Sequence, residues 1–125
     1  MLTPTFIRRG DDSRGTLQFR DLVDDLLRRI SLLSRAYGDG PVHRRHEELA
    51  MTDATASVAI EDAAVRWMEV PRFSRNQRQA MTFGGWMGWV RYAVDAVPWF
   101  PLLRAAELLH VGKHTTFGFG AVEFS

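Results

Sequence analysis

The stretch from residue 18 to residue 37 constrains the fold most. Phe19, Leu22, Val23, Leu26, Leu27, Ile30, Leu33 and Tyr37 recur at steps of three and four. That period puts them on one face of a helix, and a helix with one apolar face needs a layer to cover it. Asp21, Asp24 and Asp25 come early and Arg28, Arg29 and Arg35 late, the order that the helix dipole favours. Gly38 is the expected stop. With 125 residues, the chain is long enough for one domain with a core of its own.

Strands are the expected second layer. Residues 63–71 are rich in Val and Trp and end on Pro71, which reads as a strand. Residues 81–94 read as another. Trp86, Gly88, Val90, Tyr92 and Val94 would share one face, and Met87, Trp89, Arg91 and Ala93 the other. Gly84, Gly85 and Gly88 point to a bulge or a close backbone approach. Residues 1–9 read as the end of a strand and 117–124 as a closing strand. Pro98 opens a second helix that continues through Leu102, Leu103, Ala105, Ala106, Leu108 and Leu109 to about His110, with Gly112 ending it. The segment 10–15 is loop by composition, and 39–61 is expected to be loop with a helical turn in Glu47 to Ala59.

The resulting order is strand, helix, strand, strand, helix, strand. It is the ferredoxin-like, RRM-like βαββαβ plan: an α+β domain over 1–125 with a four-stranded antiparallel sheet and both helices on one face. The other sheet face is left for a ligand, RNA or a second domain. The first strand begins almost at Met1, which suggests either a trimmed chain or a domain whose partner half lies elsewhere.

Composition narrows the chemistry. Hydrophobic residues make up 46% and charged residues 25%, which is globular and not disordered. The absence of cysteine excludes a disulfide scaffold, a thiolate metal site and a Cys nucleophile. A formal charge of +1 excludes a uniformly basic coat but allows a local basic patch. Lys113 is the single lysine among 16 cations, and Arg favours bidentate contacts to phosphate and stacking on bases. No apolar run approaches the ~20 residues of a membrane span, and no signal peptide opens the chain. The chain therefore reads as soluble and intracellular.

Two segments could hold an anion. The first is His110-Val-Gly-Lys-His-Thr-Thr-Phe-Gly-Phe-Gly120. Gly112, Gly118 and Gly120 allow positive φ and close approach, and amides of such a turn can cradle an anion. Lys113 adds charge, and His114, Thr115 and Thr116 add polar groups. The spacing is neither a Walker A loop nor a dinucleotide fingerprint. A helix cap followed by a packed Gly-rich strand fits the same spacing equally well. The second is Arg72-Phe-Ser-Arg-Asn-Gln-Arg-Gln79. Arg72, Arg75 and Arg78 repeat every third residue, with no acid from Val70 to Val94. Such a run suits phosphate contacts, although it also fits a solvated hairpin connection.

His43 and His46 lack a third ligand and are expected to be surface loop residues. His110 and His114 are the candidate general acid or base for RNA cleavage, because an imidazole can serve as either near neutral pH. For His110 a helix-cap role is the simpler reading. Trp67, Trp86, Trp89 and Trp99, with Phe73 and Phe83, are expected mostly in packing. Trp89 on the uncovered face would mark a partner surface.

In this order and spacing, Arg72-Phe-Ser-Arg-Asn-Gln, Gly84-Gly85-Trp86-Met87-Gly88 and Leu108 to Gly120 resemble the C-terminal half of the CRISPR-associated endoribonucleases that cut repeat RNA into guides. These belong to the RAMP superfamily. The opening Leu2-Thr3-Pro4 and the helix 18–37 fit the same pattern. The resemblance implies a ferredoxin-like fold and a Gly-rich loop that contacts repeat RNA or braces the site that does. It also implies metal-independent cleavage with no cofactor, the substrate 2′-hydroxyl acting as nucleophile. Family enzymes carry two such domains, with the acting histidine usually in the first. The catalytic half is therefore expected outside this chain. Implied partners are CRISPR repeat RNA and a second ferredoxin-like domain or other effector subunits, in a prokaryotic cytoplasm. A non-catalytic packing module within a CRISPR ribonucleoprotein, docking through the loop and the Trp face, is the alternative. A minimal nuclease using His110 or His114 is a third possibility.

Overall fold

The computed structural model describes residues 1–8, 14–38, 40, 45–74 and 79–125. The fold is α+β. Helix α1 spans Phe19–Tyr37 and helix α2 Arg45–Ala54. Strands β1 (Ile60–Ser74) and β2 (Gln79–Tyr92) pair antiparallel. A 3-10 turn at Val97–Trp99 leads into helix α3, Phe100–Leu109.

Helix α1 buries Phe19, Leu22, Val23, Leu26 and Leu27. Against them pack Ile7, Leu102, Leu103, Ala106, Val111 and Val122. Each fully buried aliphatic side chain contributes roughly 1.5–3 kcal/mol. The apolar stripe outlasts the core: Leu33 is exposed and so is Tyr37. Two polar residues of α1 are buried as well, Asp25 and Ser31. Phe19 touches Tyr92 of β2 and Trp99 beside α3, with ring centroids 5.1 and 5.9 Å away. That contact fixes the sheet against the helices.

The hairpin is longer than the sequence suggests. Its register runs from Ile60 opposite Tyr92 to Ser74 opposite Gln79. The irregularity falls at Glu61, between Ile60 and Asp62, and not at the glycines of β2. Those glycines admit neighbours instead. At Gly84 a side chain would collide with the Trp67 ring, and at Gly85 with the backbone of Pro4 and Thr5. Trp67 and Trp86 face each other across the strands, edge to face at 5.3 Å.

The two terminal segments depart from the expected strands. Among the described residues the sheet has two strands. Residues 1–8 contribute only isolated bridges, Thr5 to Trp86 and Ile7 to Thr16. Residues 115–117 form a 3-10 turn, 118–120 a further turn, and 121–125 have no regular structure. The backbone gives the reason. Pro4 has no N–H to donate, and Gly118 and Gly120 take φ of 84° and 79°, outside the regular strand range. The termini still lie side by side. Thr5 N–H donates to Trp86 O at 3.0 Å and Trp86 N–H to Thr5 O at 2.8 Å. On the far side, Leu2 N–H donates to Ala121 O at 2.8 Å and Gly120 N–H to Pro4 O at 2.9 Å.

Two further differences are local. The stretch expected as loop with one turn holds the ten-residue helix α2. It is tied to α1 where the Ser31 hydroxyl donates to Glu48, both residues being buried. Helix α3 ends at Leu109 because His110 takes φ 61° and ψ 166°, so Gly112 is not its stop. No described helix is long and apolar enough to cross a membrane.

Candidate nucleic-acid interface

The Gly-rich segment leaves α3 through a strained residue. A non-glycine φ of 61° at His110 is uncommon, and such positions persist only where surroundings hold them. Here the His110 ring does so: its Nδ1 lies 3.0 Å from Phe119 O. A carbonyl only accepts, so this contact needs the proton on Nδ1 and leaves Nε2 of a neutral ring as an acceptor.

The loop then folds onto the protein. Val111 is fully buried, and its N–H donates to Gly120 O at 2.9 Å. Gly112 and Gly120 are both buried with positive φ. A side chain at Gly112 would strike the Phe6 backbone, and one at Gly120 the Val111 backbone. Gly118 has positive φ but open space around it. Several loop amides donate within the chain. Gly112 N–H goes to Asp25 Oδ2 at 2.8 Å, Lys113 N–H to Phe6 O at 2.8 Å and Gly118 N–H to Thr115 O at 3.0 Å.

Lys113, Thr116 and Gly118 are exposed, while His114 and Thr115 are half-buried. The His114 ring stacks on Phe83 of β2, with centroids 4.2 Å apart and planes 28° apart. Phe119 meets both rings edge-on at 6.0 and 6.2 Å. Burial in this aromatic setting, and then the Lys113 charge, lower the His114 pKa from 6.5.

The stack also relates the loop to the hairpin. Phe83 stands four residues from Gln79, where β2 begins, about 13 Å along a strand. The backbone of Arg72 lies in β1 opposite Met81. Arg75 and Arg78 fall in the 75–78 connection, outside the described residues, as does His43. Among the described residues no cluster of three or more His, Cys, Asp or Glu could hold a metal.

Sequence reasoning missed Asp25 and Arg29 as loop-holding residues. Arg29 Nη1 donates to Thr115 Oγ1 at 3.1 Å, and its Nη2 donates to Gly112 O. The only sequence signal was position: each lies three or four residues from an apolar-face residue, Leu22 and Leu33. The sequence places Phe83 only among the aromatics expected mostly in packing, and its partner is a histidine.

A cavity of about 490 Å³ lies elsewhere, lined by residues that include Phe19, Leu22, Tyr92, Leu103, Val111 and Val122. Tyr92 donates its hydroxyl to Leu17 O at 2.6 Å, and burial pushes its pKa up to about 12. This is core chemistry, away from the stacked histidine.

The family model described as CRISPR-associated endoribonuclease Cas6 matches residues 1–122. No curated protein and no solved structure matches the chain.

Proposed function

The chain belongs to the CRISPR-associated endoribonuclease Cas6 family, and from that premise we propose that it grips repeat RNA with two segments of its own. Membership implies processing of precursor CRISPR RNA and binding of its repeat. The finer reading is that one edge of the grip is the Gly-rich loop, with Gly112, Lys113, His114, Thr115, Thr116, Gly118 and Gly120. The other is the far end of the hairpin, with Arg72 in β1 and Arg75 and Arg78 in the connection that follows. The observation that carries it is the His114–Phe83 stack, which sets the loop beside the strand that leads to the arginines. Lys113 and Thr116, exposed on that loop, suit phosphate and ribose oxygens.

On this reading the chain acts as the C-terminal, ferredoxin-like domain of a two-domain processing enzyme in a prokaryotic cytoplasm. Its partners are repeat RNA and a second ferredoxin-like domain or other effector subunits. The backbone bonds that line up segment 120–121, the N-terminal segment, β2 and β1 support the four-stranded plan. The RNA 2′-hydroxyl is the nucleophile, and neither His110 nor His114 is assigned the catalytic role.

Titration of repeat RNA at several salt concentrations tests the grip. Each phosphate contact to a single strand adds a slope of about −0.7 in log affinity against log salt. Arg75→Ala and Lys113→Ala should each weaken binding and flatten the slope by about that amount. Absence of binding at low salt, or binding indifferent to salt, overturns the reading.

A second reading rests on a separate observation. Trp89 is 46% exposed on β2, with Phe100, Val97 and Leu108 also exposed. Exposed large apolar groups suit a packing module that docks another protein domain. In that case Trp89→Ala breaks assembly while Arg75→Ala and Lys113→Ala leave it intact.

A further inference from the structure

The protein-facing side of the Gly-rich loop is held by two residues of α1 that stand one turn apart. Their side chains are only 11% (Asp25) and 23% (Arg29) exposed. Asp25 Oδ2 accepts the Gly112 N–H at 2.8 Å, and its Oδ1 accepts from Arg28 Nη2 at 3.1 Å. Arg29 Nη2 lies 4.0 Å from Asp25 Oδ2 and donates to Gly112 O. The acid thus holds the donor of Gly112 and the base holds its acceptor. A residue with no side chain is gripped through its backbone alone.

Arg29 reaches further. Its Nη1 donates to Thr115 Oγ1 at 3.1 Å, while its Nε is buried with no hydrogen-bond partner among the described residues. A buried donor without a partner costs free energy, so the guanidinium is oriented by Gly112 and Thr115 at the expense of its own satisfaction. A guanidinium has no acceptor. The Arg29–Thr115 contact therefore uses a lone pair of the hydroxyl and leaves the hydroxyl hydrogen to be donated elsewhere. Thr115 is half-buried, between His114 and the exposed Thr116, with exposed Lys113 two residues away. An anionic oxygen that only accepts is the complement of a hydroxyl so arranged.

We propose that Asp25 and Arg29 are positioning residues of the RNA grip, fixing the Gly112 peptide and turning the Thr115 hydroxyl to donate to an RNA phosphate oxygen. This rests on the reading of the loop as an RNA contact. The test is a double-mutant cycle on the full chain, with affinity for repeat RNA measured at low salt. If Arg29 acts through Thr115, Arg29→Met and Thr115→Val each weaken binding about tenfold, and the double variant is no weaker than either. Thr115→Ser keeps the hydroxyl and restores wild-type affinity. Arg29→Lys keeps the charge but loses the fork, and behaves like Arg29→Met. If Arg29→Met does not fold, Arg29→Lys takes its place in the cycle. A wild-type chain that binds while Thr115→Val binds equally well overturns this proposal and leaves the function standing. Additive losses in the cycle also overturn it. A wild-type chain that binds no repeat RNA overturns the function reading, and this proposal with it.

Discussion

A methyl group at position 120 would run into the Val111 backbone, whereas one at position 118 would meet open space. Both residues have positive φ. Gly118→Ala should therefore cost only the left-handed backbone term, about 1–2 kcal/mol. Gly120→Ala carries that term plus a collision with backbone that cannot swing aside, and should cost clearly more, about 3 kcal/mol or beyond. Denaturant melts of the two variants measure the difference, and equal losses would contradict the packed position of Gly120. His114 gives a pH signature at the same scale. Its pKa is lowered from 6.5 chiefly by burial, so the unfolded chain takes up a proton more readily than the folded one. Stability from this group is complete above the unfolded value and is lost as pH falls through the lower folded value. His114→Phe keeps an aromatic ring against Phe83 and should remove that part of the acid dependence, read as melting temperature between about pH 8 and pH 5.

Among the elements, α1 joins the core to the loop. Its inner face packs the core through Phe19, Val23, Leu26 and Leu27, and its flank holds Gly112 and Thr115 through Asp25 and Arg29. Leu26 is fully buried. Leu26→Ala should cost about 2–5 kcal/mol in unfolding free energy, with the loop disturbed only through that global loss. Substitution at exposed Leu33 on the same nominal stripe should change stability by less than about 0.5 kcal/mol. The helix periodicity was legible because a 3.6-residue repeat needs no partner to be seen. Where the stripe stops being buried was not, since that depends on where α2, α3 and the sheet end. The hairpin was legible for the same local reason. Its true length was not, because Arg72 and Gln79 read as polar loop while the ladder carries the backbone through both.

Across the whole molecule, the termini complete the arrangement around β2. Thr5 bridges to Trp86, and the other side of the N-terminal segment meets residues 120–121. Amides of Thr5, Trp86 and Gly120 should therefore exchange with solvent together, and as slowly as those of α1, in a native-state hydrogen-exchange experiment. Fast exchange at Thr5 and Gly120 with slow exchange in α1 would show the terminal segments to be separable from the core. Lys113 follows the same logic, since its N–H donates to Phe6 O at 2.8 Å while its ammonium stays exposed.

The amino-acid order by itself determined a helix over about 18–37 and another over about 98–110, the hairpin, and the glycines that mark the loop, because each is written in local periodicity or in backbone freedom. Tertiary structure decided the rest. It buried Asp25 to hold a peptide eighty-seven positions away and set His114 on Phe83. It also kept the terminal segments bridged without making them strands. Those outcomes depend on contacts between residues far apart in sequence, and no period or spacing within a short window records which distant group will arrive.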